Sequence, residues 1–96
     1  MRMMLRWTVP VDRGNEMIAD GSMAKMVQTL TAKLKPEAAY FLADGGERSG
    51  MMVFDMKKSS EIPGIAEILF QGAEANVEFT PVMNADDLKK ALRSLS

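Results

Sequence analysis

The stretch that most constrains this chain is Ala38 to Met56, where Ala-Ala-Tyr-Phe-Leu-Ala-Asp leads into Gly-Gly-Glu-Arg-Ser-Gly and then Met-Met-Val-Phe-Asp-Met. Two apolar runs rich in aromatic and β-branched residues around a glycine pair predict a β-hairpin. Its turn has to visit positive φ, which Gly45-Gly46 does without a Cβ penalty. A two-residue turn would set Asp44 opposite Glu47, two like charges. A loop of Gly45-Gly46-Glu47 sets Asp44 opposite Arg48 instead, and is preferred on that ground. In that register Tyr40, Leu42, Met52 and Phe54 share one face, and Phe41, Ala43, Met51 and Val53 share the other. Both faces are apolar. A sheet wet on one side should alternate, so this one is expected to be covered twice.

The remaining elements follow in order. Met3 to Val9 reads as a first strand, with Met3, Leu5, Trp7 and Val9 pointing one way and Met4, Arg6 and Thr8 the other. Pro10 ends it, because proline cannot donate to the ladder. Asp12 suits the cap of a short helical turn through Ala19, and Ser22 the cap of a new helix. Met23, Met26, Val27, Leu30 and Leu34 then fall on one helical stripe, read as a core face. After the hairpin, Ser59 or Ser60 caps a second long helix with Pro63 in its first turn and Gly72 as its C′ residue. Asn76 to Val82 is a fourth strand. Asn84 caps a terminal helix whose stripe is Leu88, Leu92 and Leu95.

This order, β-α-β-β-α-β plus a C-terminal helix over residues 1–96, predicts a single α+β domain of the ferredoxin-like, split βαβ plan, with a four-stranded antiparallel sheet in the order 4-1-3-2. In that plan both long helices cover one face and leave the other bare. A terminal helix of eleven or so residues cannot shield four strands. The economical cover is a second copy of the chain, sheet against sheet about a two-fold axis. The competing arrangement is a monomer with the terminal helix folded back over part of the sheet.

Several motifs are similar to a known family. The runs Gly14-Asn15-Glu16, Asp20-Gly21-Ser22, Leu34 to Phe41 (Leu-Lys-Pro-Glu-Ala-Ala-Tyr-Phe) and Val77 to Leu88 (Val-Glu-Phe-Thr-Pro-Val-Met-Asn-Ala-Asp-Asp-Leu) resemble a family of short bacterial proteins of unknown function. That family is similar in plan to the dimeric α+β barrel superfamily, and the resemblance spans essentially the whole chain. It implies the fold and a homodimer, but no established activity. The wider superfamily includes haem-degrading and cofactor-free monooxygenases, muconolactone-type isomerases and stress-response proteins. Several of those enzymes use histidines, and this chain has none.

Composition narrows the chemistry. With neither histidine nor cysteine there is no thiolate, no disulfide and no imidazole base or ligand. Catalysis would rest on carboxylates, Tyr40, Arg or Lys, and no cofactor is implied. The formal net charge of −1 and the scattered basic pairs give no concentrated face for nucleic acid. No apolar run approaches the roughly 20 residues that span a bilayer. The start, Met-Arg-Met-Met-Leu-Arg-Trp, lacks a signal-peptide core, so a cytoplasmic domain with no membrane partner is expected.

The candidate site follows from the strand order. Strands 1 and 4 are antiparallel neighbours, so Arg6 and Thr8 are expected to share the face away from the helices with Glu78 and Thr80. Arg6 beside Glu78 is a structural ion pair at a dimer interface, or an anchor for a carboxylate or enolate with Glu78 exchanging a proton. Tyr40 would donate a hydrogen bond to the same small-molecule ligand, or serve the core. Trp7, Met52, Phe54 and Phe79 are expected at the core or dimer face. Asp44, Glu47 and Arg48 are read as a solvated hairpin tip. Asp12, Glu16 and Asp20 are read as an exposed acidic stripe, and Asp86-Asp87 as cap charges, so no metal is implied. Two functions stand: a dimeric, non-catalytic small-molecule-binding or interaction module, and a cofactor-free isomerase or monooxygenase acting on a small carbonyl or carboxylate compound.

Overall fold

The computed structural model describes residues 1–95. Strand β1 (Arg2–Val9) is followed by α1 (Val11–Asp20) and α2 (Ser22–Leu34), the hairpin β2 (Ala38–Asp44) and β3 (Glu47–Asp55), a 3-10 turn (Ser59–Glu61), α3 (Ile62–Ala73), β4 (Asn76–Pro81) and α4 (Ala85–Arg93). All strand pairs are antiparallel and the sheet runs β2-β3-β1-β4. The result is an open α+β sheet compatible with a ferredoxin-like arrangement. Its four helices exceed the two of the plain β-α-β-β-α-β scheme, because the first crossover breaks in two at Gly21 (φ 82°) and α4 is added.

One face of the sheet carries the core. Met3, Leu5, Trp7 and Val9 of β1 lie beside Met52 and Phe54 of β3. Above them pack Met17 of α1, Met26, Leu30 and Leu34 of α2, and Ile65 and Leu69 of α3. Phe79 and Val77 are half-buried against the same cluster. The four residues expected at a core or dimer face, Trp7, Met52, Phe54 and Phe79, therefore all point towards the helices.

The hairpin register differs from the sequence expectation. Gly45 and Gly46 both adopt positive φ, 61° and 81°, and close a two-residue turn that sets Asp44 opposite Glu47. Two consecutive left-handed residues match the right-handed twist of the flanking strands, and this geometric term outweighs a like-charge contact at a solvated tip. Arg6 also offsets that contact, with its guanidinium 3.5 Å from the Asp44 carboxylate. A one-residue slip exchanges the faces of a strand. Tyr40 and Leu42 accordingly share the open face with Met51 and Val53, while Met52 and Phe54 enter the core.

Four helix ends are also corrected. Asp12 lies inside the first turn of α1, and Pro10 occupies the cap position. Gly21, not Ser22, precedes α2, and the Asp20 carboxylate accepts the Ser22 amide at 2.8 Å. Helix α3 runs past Gly72 to Ala73 and ends at Glu74 in the left-handed conformation (φ 51°). Neither serine caps that region; the Glu61 carboxylate accepts the Lys57 and Lys58 amides at 2.9 and 2.7 Å.

Gly50 is needed for space. It sits between Trp7 and Phe41 in one cross-strand row, and a Cβ there would lie 2.3 Å from the indole Cζ2. The indole lies across the gap and meets the Phe41 ring edge-on, with centroids 6.2 Å apart. Replacing Gly50 by Ala should cost about 1–3 kcal/mol, since the buried indole must move. Urea unfolding followed by the fluorescence of Trp7 should show a lower midpoint at an unchanged slope. An unchanged midpoint would show that the indole yields at no cost.

Candidate functional site

Pleat alternation places Arg2, Met4, Arg6 and Thr8 on the sheet face away from the helices, and pairing assembles rows across it. Tyr40, Met51, Arg6 and Glu78 form one row from β2 to β4. Leu42, Ser49, Thr8 and Asn76 form the next, and Ala38, Val53, Met4 and Thr80 the one on the other side. The face is therefore divided. Its β2–β3 half is apolar, with Tyr40, Leu42, Met51 and Val53, and its β1–β4 half is polar.

The polar half holds a dimple of about 50 Å³ lined by Arg6, Thr8, Asp44, Asn76 and Glu78. Arg6 stands opposite Glu78 in the ladder, yet its ion pair is with Asp44. Asp44 thus belongs to the dimple as well as to the hairpin tip. Ser49 is buried, and its hydroxyl donates to the Glu47 carbonyl at 3.0 Å. Tyr40 lies outside the dimple, two strands from Arg6 with Met51 between them. That separation is about 10 Å at the usual strand spacing. Glu78 is exposed in the single chain. Arg48 is exposed, as expected of the hairpin tip, and its side chain also reaches over α1: a Cβ on Gly14 would approach its Nη1 to 2.7 Å.

On the helix side, a second concavity of about 490 Å³ opens beside the edge strand β2. Met17 and Ile18 of α1, Met23, Val27 and Gln28 of α2, and Phe41 line this groove. Met23 and Val27, on the stripe read as a core face, pack half-buried against the core and also line this groove. The isolated Ile18, off the buried face of α1, was the available signal.

A third feature had no sequence signal. Arg2 on the open face donates to Glu37 at 2.6 Å and to Asp87 at the start of α4. Asp87 also completes a reciprocal cap with Asn84, its amide donating to the Asn84 side chain at 2.8 Å. Among the described residues no three His, Cys, Asp or Glu side chains are grouped to hold a metal. No helix there is long and apolar enough to cross a membrane. Compared with known proteins, the chain matches no family model and no curated relative.

Three carboxylates, Asp20, Asp55 and Asp87, are lowered by folding and give the structure a pH dependence. The Lys57 ammonium, and then the N-terminal amine, hold Asp55 down to about 2 from an ordinary 3.8. The Asn84 amide, and then Arg2, lower Asp87. All three are acids depressed by folding, so their contribution is complete above the unfolded value of 3.8 and is lost as pH falls below it, for Asp55 down to about 2. Denaturation midpoints measured from pH 6 to pH 2 should drop more steeply in the native chain than in Asp55→Asn. Equal slopes would show that the Asp55 pairing contributes nothing in solution.

Proposed function

We propose that the protein is a cytoplasmic, homodimeric, non-catalytic binding or interaction module, in which two copies bring their open sheet faces together as a dimeric α+β barrel around a small-molecule site. The observation that carries this reading is the apolar half of the open face. Tyr40 is 65% exposed and Leu42 47%, with partly exposed Met51 and Val53 beside them. A contiguous apolar patch of this kind marks an interaction surface.

Shape supports the same reading. The accessible surface is 6214 Å². Size scaling gives a monomer of 10.6 kDa roughly 5,500 Å². The excess, about 700 Å², is close to one partner's share of a standard interface. The radius of gyration of 15.1 Å likewise exceeds the value of about 12.5 Å for a compact domain of this length. No residue of α4 is buried, although Leu88 and Leu92 form an apolar stripe along it. In a two-fold assembly the apolar half meets its own copy, and the polar dimples flank it.

One observation favours the second reading, a cofactor-free isomerase or monooxygenase. The dimple brings a guanidinium and two carboxylates together on a face that a partner would cover, an arrangement able to anchor a carbonyl or carboxylate compound.

Light scattering on a sizing column across a dilution series should give a dimer. Tyr40→Lys should weaken it by at least about tenfold, the effect of losing one interface anchor, while leaving the fold intact. Glu78→Gln should leave the dimer unchanged if Glu78 serves a ligand. A monomer at every concentration would overturn the assembly, and loss of the dimer in Glu78→Gln would make Glu78 a structural contact.

A further inference from the structure

A face-to-face dimer covers Tyr40 and Leu42 but leaves their neighbour Phe41 out, and Phe41 is 57% exposed. Three consecutive large apolar side chains are thus open on both faces of one strand. That strand is also the edge of the sheet, with only β3 beside it. Edges are normally blunted by lysine, proline, a bulge or a covering segment. Ala38-Ala39-Tyr40-Phe41-Leu42-Ala43-Asp44 contains no lysine or proline, and pairs with β3 in unbroken register.

The same strand is matched to itself. Turned about Phe41 and laid antiparallel on a second copy, it sets Phe41 against Phe41, Tyr40 against Leu42, and Ala39 against Ala43. Large residues meet large ones and small meet small, which is how cross-strand pairs stabilise a ladder. No like charges stand opposite, since Asp44 faces Ala38. The position is continuous with the apolar half of the open face, whose outermost row ends on Tyr40.

We propose that β2 is a pairing edge, and that two copies of the chain join by antiparallel β2–β2 hydrogen bonding centred on Phe41. The sheet then continues from one copy into the other, and the two apolar halves lie side by side on its open face. Edge addition also pairs the outward backbone groups of β2 and brings the two Phe41 rings, each at the rim of its groove, together at the axis. This inference rests on the dimer reading and adds which strand joins the copies and in what register.

The chain has no cysteine, so an introduced one reports cleanly. Phe41→Cys places a thiol opposite its own copy, at the Cα separation of about 4.5–5.5 Å found in antiparallel pairs, within disulfide range. Mild oxidation should shift Phe41→Cys to twice the mass on a non-reducing gel. Asn76→Cys, on the opposite edge strand, should stay at single mass. On the native chain, amide exchange across 38–44 should be slow in concentrated solution and accelerate on dilution, a readout that needs no variant. A dimer by light scattering in which Phe41→Cys stays uncrosslinked and 38–44 exchanges equally fast at all concentrations would overturn the β2 pairing and leave the dimer standing. A monomer throughout would overturn both.

Discussion

The contact on which the rest of this structure depends is the indole of Trp7 lying over Gly50. A residue with any side chain at position 50 would fill the slot between β1 and β2, and Gly50 leaves it to the largest ring in the chain. Trp7 then reaches across β3 to Phe41, joining three strands through one aromatic pair. Covering a strand glycine with a cross-strand aromatic restores packing that the glycine alone would lose, and it pins register as well. Register in turn decides which residues of β3 face the helices, and so defines both the core and the open face.

From that division comes the character of the molecule. The helix side is filled by Met, Leu and Ile side chains in close contact with Trp7 and Phe54. The other side is left with an apolar half, a polar half, and Arg2 tying Glu37 and the first turn of α4 to one end. An ion pair between exposed groups contributes little stability. The role of Arg2 is positional, directing α4 from its first turn. The molecule measures 54 Å along its longest axis and 17 Å along its shortest, a flat shape with a large surface for its mass.

The hairpin shows where sequence reasoning reached its limit. The glycine pair located the turn, and the apolar runs on either side of it located both strands. The choice between a two-residue and a three-residue connection was weighed on one charge contact, Asp44 with Glu47. The backbone twist, which prefers two left-handed residues in succession, is a larger effect than repulsion between solvated carboxylates. Since side chains alternate with period two, that single misjudged residue misassigned half the hairpin. The cap at Ser22 fails for a different reason: the left-handed Gly21 takes the cap position, and Ser22 is already the first residue of α2, its amide held by the Asp20 carboxylate.

What the sequence determined by itself was local: where each strand and helix lies, which stripe of each is apolar, and that Arg6, Thr8 and Glu78 share a face. The first two follow from periodicity and from proline and glycine placement, short-range properties of the chain, and the third from the strand adjacency that the order of elements implies. Only the tertiary structure decided that Asp44 joins Arg6 in the dimple, that Met51 separates Tyr40 from Arg6, and that Arg2 holds α4. Each of those depends on register or on contacts between residues 35 to 85 positions apart. Such contacts are set by the packing of whole elements, and no local pattern in the chain encodes them.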